Sequence, residues 1–164
     1  MLDGIDAKDP LQLDDMPDAA SQVHVTVERL FRLLKAQMSA TLEARGSSIV
    51  EWRVLLMLRI HGEMAQKELV REVAMVQAQV SRTLSQMRRR NLVRARRSPA
   101  DGRIWLFRLS TSGEALYRRI APSMAARKHL LDSALSAEEL GRFQAAARSV
   151  AEVLVAQGLP LQPE

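Results

Sequence analysis

The sequence contains no cysteine. Disulfides, zinc–thiolate centres and thiol-based oxidant sensing are excluded with it. Glycine and proline are modest in number, seven and six in 164 residues with 47% hydrophobic residues, the profile of a globular, helix-rich chain of one domain's length. No run of about 18 apolar residues is present to span a bilayer. The opening MLDGIDAKDP has neither the basic start nor the apolar centre of a secretion signal, so a cytoplasmic location is expected. There is no glycine-rich phosphate loop and no carboxylate pair set beside a histidine. His24, His61 and His129 stand too far apart in sequence to suggest a metal site. No enzyme, no catalytic residue, no metal and no cofactor is expected.

Acid is also missing from one long stretch. Between Ser81 and Leu109 nine arginines (82, 88, 89, 90, 94, 96, 97, 103 and 108) face a single carboxylate, Asp101. A surface solvated for its own sake would mix signs, so this stretch implies a polyanionic partner. The whole-chain charge of +5 conceals the division: residues 1–20 hold six aspartates and one lysine, which leaves +10 on the rest. The acidic segment is expected to be a disordered tail, serving solubility or competing with that polyanion for the basic face.

Periodicity organises the chain. Val27, Leu30, Leu34, Met38 and Leu42 make an amphipathic stripe over a helix from Val23 to about Arg45, stopped by Gly46. Ser48 and Glu51 form a capping box for a helix to His61, whose Ile49, Trp52, Leu55, Leu56 and Ile60 are expected in the core. A short helix over Met64 to Val73 follows, then a helix from about Val76 to Asn91. In the latter, Val76, Val80, Leu84 and Met87 form the buried stripe, opposite Ala78, Arg82, Ser85 and Arg89. Arg88, Arg89 and Arg90 complement the negative end of that helix dipole, which accounts for part of the basic cluster.

Two extended runs around Ser98–Arg103 then read as a β-hairpin, with Pro99 and Gly102 setting the turn. Asp101 and Arg103, two apart, are placed to pair if the segment is extended. Trp105 and Phe107 share one strand face, Ile104 and Leu106 the other, which leaves open how such a strand is covered. Thr111 and Glu114 suggest a capping box for a helix bearing Leu116, Ile120 and Met124, with a kink or break expected near Ala121 because of Pro122. Ser136 and Glu139 open a last helix whose Leu140, Phe143, Ala147, Val150 and Leu154 form a seam that needs a partner helix, in the same chain or another. The expected fold is mainly α with a small β-hairpin wing: a winged helix-turn-helix over residues 48–110, flanked by a helical region at 21–47 and 111–157, one continuous domain overall. A polar-faced helix followed by an arginine-bearing hairpin suits duplex DNA, helix in the major groove and hairpin tip on the backbone or the neighbouring minor groove.

From about Val23 to Leu154 the chain resembles the MarR family of bacterial transcription regulators. The residues that carry the resemblance are Trp52-Arg53-Val54-Leu55, Lys67-Glu68-Leu69, Val80-Ser81-Arg82, Asn91-Leu92-Val93, Asp101-Gly102-Arg103, Leu109-Ser110 and Gly113. The family usually has Gly in place of Asn91 and Thr in place of Ser110; Asn tolerates the left-handed conformation a helix end wants. Either Arg94 or Arg96 inherits the arginine the family places after the helix. Some members sense peroxides through cysteine, which this chain lacks.

The resemblance implies a homodimeric, DNA-binding repressor in which first and last helices of two subunits interlock. Gln77, Gln79, Ser81, Arg82 and Ser85 are the candidates for groove contacts, Arg89, Arg96 and Arg97 for phosphates, and Asp101 for orienting the wing-tip Arg103. It also implies a small effector, aromatic, anionic or a coenzyme A thioester, bound between the dimerisation helices and the DNA-binding lobe. His24, Arg32, Trp52 and Arg53 are candidates for that site, although the tryptophan equally suits the core and the arginines the surface. The alternative is a sequence-tolerant architectural DNA-binding protein that needs no effector.

Overall fold

The computed structural model describes residues 9–13 and 22–158. The expected acidic tail therefore lies largely outside the described residues. Of residues 9–13, Leu11 offers its carbonyl to Arg29 Nη1 at 2.7 Å, and Gln12 offers its carbonyl to the same nitrogen.

The elements are α1 (Gln22–Glu43), α2 (Ile49–His61), β1 (Met64–Ala65), α3 (Gln66–Val73), α4 (Gln77–Arg89), β2 (Val93–Arg97), β3 (Trp105–Leu109), α5 (Thr111–Asp132) and α6 (Ala137–Ala156). The mainly helical class with a small wing is borne out. The centre is α2, which touches α1, α3, α4, α5 and β3. Its start follows the capping box: Glu51 N–H donates to Ser48 Oγ at 3.2 Å, and Ser48 N–H to Glu51 Oε2 at 3.1 Å. Gly62 ends it at φ 77°, a left-handed value that a side chain would oppose. Val54, Leu55 and Leu58 of α2 join Leu42, Leu69, Val80, Leu84, Met87, Phe107, Leu116 and Ile120 in one buried cluster that takes side chains from α1, α3, α4, α5 and the sheet.

Four local expectations are corrected. Ile60 is 60% exposed rather than in the core, because α2 turns that side outward over its last turn. Met64 and Ala65 are strand, not helix: they pair with Phe107 and Leu106, and α3 starts only at Gln66, where Glu68 accepts the Ala65 N–H at 2.7 Å. The cap of α5 is Ser110 rather than Thr111, since Ser110 Oγ accepts the Gly113 N–H at 3.1 Å. Finally, of the kink or break expected near Ala121 the break does not occur: α5 runs through Pro122 as one helix of 22 residues.

The sheet has the order β1-β3-β2, antiparallel throughout, with Val93 opposite Leu109 and Arg97 opposite Trp105. This resolves how β3 is covered. Its inner part lies between two strands and over the core, burying Phe107. At its outer end Ile104 and Trp105 are exposed, because β1 is two residues long and stops short of them.

The end of α4 is fixed by several backbone bonds. Asn91 takes φ 54°, the left-handed conformation expected of it. Leu92 N–H reaches Met87 O at 2.8 Å and Asn91 N–H reaches Arg88 O at 2.9 Å, the bonding pattern of a Schellman cap. Ser110 N–H donates to Leu92 O at 3.0 Å while Ser110 Oγ donates to Asn91 O, joining this cap to the first turn of α5. A Cβ on Gly113 would lie 2.1 Å from Leu92 O, so only glycine permits this approach.

Candidate nucleic-acid interface

Helix α4 buries Val80, Thr83, Leu84 and Met87, whereas Val76, expected in the buried stripe, is exposed because it is the N-cap ahead of the first turn. At about 100° per residue the opposite stripe is Ala78, Arg82, Ser85 and Arg89, all exposed. Gln77 is exposed at the start of the helix, and Gln79 and Ser81 are half-buried on its two flanks. Arg82 Nε donates to Ala78 O at 3.2 Å and Ser85 Oγ to Ser81 O at 3.0 Å, so both side chains lie back along the helix. These bonds leave Arg82 four N–H donors and Ser85 its acceptor lone pairs. The N-cap Val76 offers no side-chain acceptor and the first turn carries no acid, so the positive end of the dipole keeps its field.

The nine arginines divide. Arg90 pairs with Glu51, whose side chain is buried, and donates to Gly46 O at 3.1 Å. Arg96, expected at a phosphate, makes a two-bond bridge to Glu63, with Nε 2.8 Å from Oε1. The Glu63 hydrogen bond raises the pKa of Arg96 above the ordinary arginine value. Arg97 and Arg88 lie over the Trp105 ring, their Cζ atoms 4.1 and 5.7 Å from its centroid. Arg94 and Arg108 are directly opposite on β2 and β3, both exposed. Like charges so placed repel, which favours an anion nearby.

The wing loop is stapled from within. Ser98 Oγ accepts the Ala100 and Asp101 N–H groups at 3.3 and 3.4 Å, and Asp101 Oδ1 accepts the Arg103 N–H at 2.9 Å. Asp101 thus holds Arg103 by its backbone rather than by the side-chain pairing expected, because the segment is a turn and strand alternation does not apply. Arg103 is exposed at the tip.

The four effector candidates fall into separate surroundings. His24 and Arg32 are exposed on α1, at 3.7 and 3.9 Å from Glu28. Trp52 is buried and stacks on Tyr117 of α5, ring centroids 5.5 Å apart. Arg53 points elsewhere, donating from Nη1 to Val73 O at 2.9 Å and Met75 Sδ at 3.3 Å across the turn between α3 and α4. His24 also lines a groove of about 750 Å³ with Val23, Val27 and Phe31 of α1 and Val153 and Leu154 of α6. No residue of α6 is buried. Among the described residues no cluster of three potential metal ligands occurs, and no helix is long and apolar enough to cross a membrane.

Sequence reasoning gave Glu51 only its cap and Trp105 only a strand face, and passed over Glu63 and the closeness required at Gly113. For the two acids the available signal was the basic excess itself, since arginines that serve the fold need carboxylates from elsewhere in the chain.

A sequence profile of the MarR family matches residues 46–104, from the turn before α2 to the end of the wing loop. This span holds the whole helix-turn-helix. Over these residues the chain matches the MarR family. No curated protein matches it in sequence. Among solved structures, this chain is similar to AbsC, a MarR family transcriptional regulator from Streptomyces coelicolor, at 25% identity and TM-score 0.73 over 86% of this chain and 97% of that one. It is similar to the PcaV transcriptional regulator of the same organism, described in complex with its natural ligand, at 24% identity and TM-score 0.67 over 82% and 97%. It is also similar to Bordetella bronchiseptica BpsR, whose DNA binding is regulated by 6-hydroxynicotinic acid, at 23% identity and TM-score 0.68 over 80% and 99%. The family matched over residues 46–104 and the neighbours in fold are transcription regulators rather than enzymes.

Proposed function

We propose that the chain is a cytoplasmic homodimeric repressor, released from a pseudo-palindromic operator by a small effector. The observation that carries this reading is the pairing of an acid-free exposed face on α4 with the exposed Arg103 at the wing tip. In the dimer, residues 48–110 read DNA, while 21–47 and 111–157 hold the subunits together, with the acidic segment 1–20 as a tail. The exposed seam of α6, with Phe143 at 54% and Leu154 at 46%, supports the pairing of subunits. Two α4 helices related by a two-fold axis then enter major grooves about 34 Å apart. Gln77, Gln79, Ser81, Arg82 and Ser85 contact base edges. Arg89 meets phosphate, as does Arg96 if its bridge to Glu63 opens, and Asp101 presents Arg103 to the minor groove.

The effector is an aromatic or acidic small molecule or an acyl thioester, seated between the helical region and the DNA-binding lobe. A ligand-bound PcaV supports the presence of an effector site, and the regulation of BpsR by 6-hydroxynicotinic acid supports an aromatic acid. His24, Arg32, Trp52 and Arg53 remain its candidate contacts. An effector that binds the free dimer better by 1–3 kcal/mol lowers DNA affinity about 5–150-fold.

The test is selection of genomic fragments bound by the purified protein, followed by titration of the selected duplex and of random DNA, with aromatic acids added for release. A dimer with a specific-to-nonspecific ratio of about 10³ or more supports the reading. A monomer at micromolar concentration, or a ratio of about one, overturns it, the latter in favour of an architectural DNA-binding protein.

A further inference from the structure

We propose that Trp105 is a strut that fixes the wing against the recognition helix, with Arg97 and Arg88 as its two clamps. The inference rests on the DNA-reading role of Arg103 given above. Trp105 is the first residue of β3 and lies opposite Arg97, the last residue of β2, so its indole stands at the root of the wing loop. The ring is 38% exposed and serves no part of the core. Instead it gathers two cations from different elements, Arg97 at 4.1 Å from across the hairpin and Arg88 at 5.7 Å from the last turn of α4.

Two guanidiniums of like charge converge only where something attractive lies between them. The electron-rich ring face supplies that attraction, and tryptophan supplies it better than tyrosine or phenylalanine. Arg97 extends the connection outward, since its Nη1 donates to the carbonyl of Arg103 at 3.1 Å. A continuous path therefore runs from α4 through Arg88, Trp105 and Arg97 to the backbone of the tip residue. Without it the loop keeps its internal bonds from Ser98 and Asp101, but those staple the loop only to itself. Arg97 thus acts as a positioning residue for Arg103 rather than as a phosphate ligand.

The experiment is a double-mutant cycle on a selected operator duplex, with the full chain and affinity read by fluorescence anisotropy. Arg103→Ala is expected to weaken binding about tenfold. Trp105→Ala is expected to cost a similar factor, and the double variant no more than either alone, because the strut acts only through the tip. Trp105→Phe, which keeps a ring face, is expected to retain most of the affinity. If the losses of the two alanine variants multiply, the strut is refuted while the DNA-reading wing stands. If Arg103→Ala binds as the parent does, the wing reading falls and the strut's purpose falls with it.

Arg97→Met keeps the aliphatic stem and removes the clamp, and it carries the cycle if Trp105→Ala fails to fold. For a strut, the slope of log affinity against log salt stays unchanged in Arg97→Met; a decrease of about one in its magnitude marks a phosphate ligand instead and overturns the proposal.

Discussion

Replacing Gly113 with alanine tests the junction between the recognition helix and α5. The new Cβ would stand 2.1 Å from Leu92 O, 3.1 Å from Leu92 C and 3.4 Å from a Leu109 methyl. The first two are backbone atoms, and neither can rotate away. The Leu92 carbonyl is held from both ends, by its own place after the α4 cap and by the Ser110 N–H at 3.0 Å. Relief means pushing α5 off the β2 entry, an overpacking cost of about 1–3 kcal/mol. Loss of the Ser110–Leu92 hydrogen bond adds about 1 kcal/mol. Alanine's better helix propensity returns at most about 1 kcal/mol. The balance is a destabilisation of roughly 1–3 kcal/mol.

For a chain of this length each kcal/mol lowers Tm by about 2–4 °C, so a fall of roughly 2–12 °C is expected. The assay is thermal unfolding followed by circular dichroism at 222 nm, parent and variant at equal protomer concentration because association contributes to apparent stability. A Tm equal to or above the parent's would refute the argument, for it would mean that the Leu92 backbone yields at no cost.

Other expectations concern binding, assembly and pH. Arg89→Ala is expected to weaken operator binding several-fold more than Arg96→Ala, since Arg89 has no acidic partner among the described residues and Arg96 is bridged to Glu63; equal losses in anisotropy titrations would show that the bridge opens on DNA. Val153→Asp, in the exposed apolar groove of α1 and α6, is expected to shift the sedimentation profile from dimer to monomer; an unmoved profile would place the subunit contact elsewhere. Glu139 has its pKa lowered, first by the Ser136 hydroxyl and then by the Ser136 N–H. A folded-state pKa below the unfolded one means that this cap helps stability above the ordinary carboxylate range and loses its contribution as pH falls through the lowered value. An NMR titration of the Glu139 carboxyl is expected to move upward in Ser136→Ala, and no movement would dissociate the shift from the hydroxyl.

Much of the fold was legible because its signals are local. The Ser48–Glu51 and Ser136–Glu139 boxes act over three residues, and both form as spaced. Asn91 announced the left-handed end of α4 in the same way. What escaped depends on partners distant in sequence. Met64–Ala65 looked helical because the strand that claims them, β3, lies some forty residues further on. Ser110 displaced Thr111 as the cap because its hydroxyl also reaches Asn91 O, which no short window contains. At the interface, the exposed stripe of α4 followed from period alone, whereas the commitments of Arg90 and Arg96 turned on Glu51 and Glu63, 39 and 33 residues away. The basic stretch was read as a sum of charges; the structure sorts it into side chains that brace the fold and side chains that face outward.

The hydroxyl of Ser110 has a mechanical consequence. It grips the closing carbonyl of one helix and an opening amide of the next, while Gly113 lets the two backbones touch with no cushion of side chain between them. A hinge at this place would need slack, and there is none. Helices α4 and α5 thus meet at a joint without slack, and a tilt of the long arm of α5 is expected to carry α4 with it.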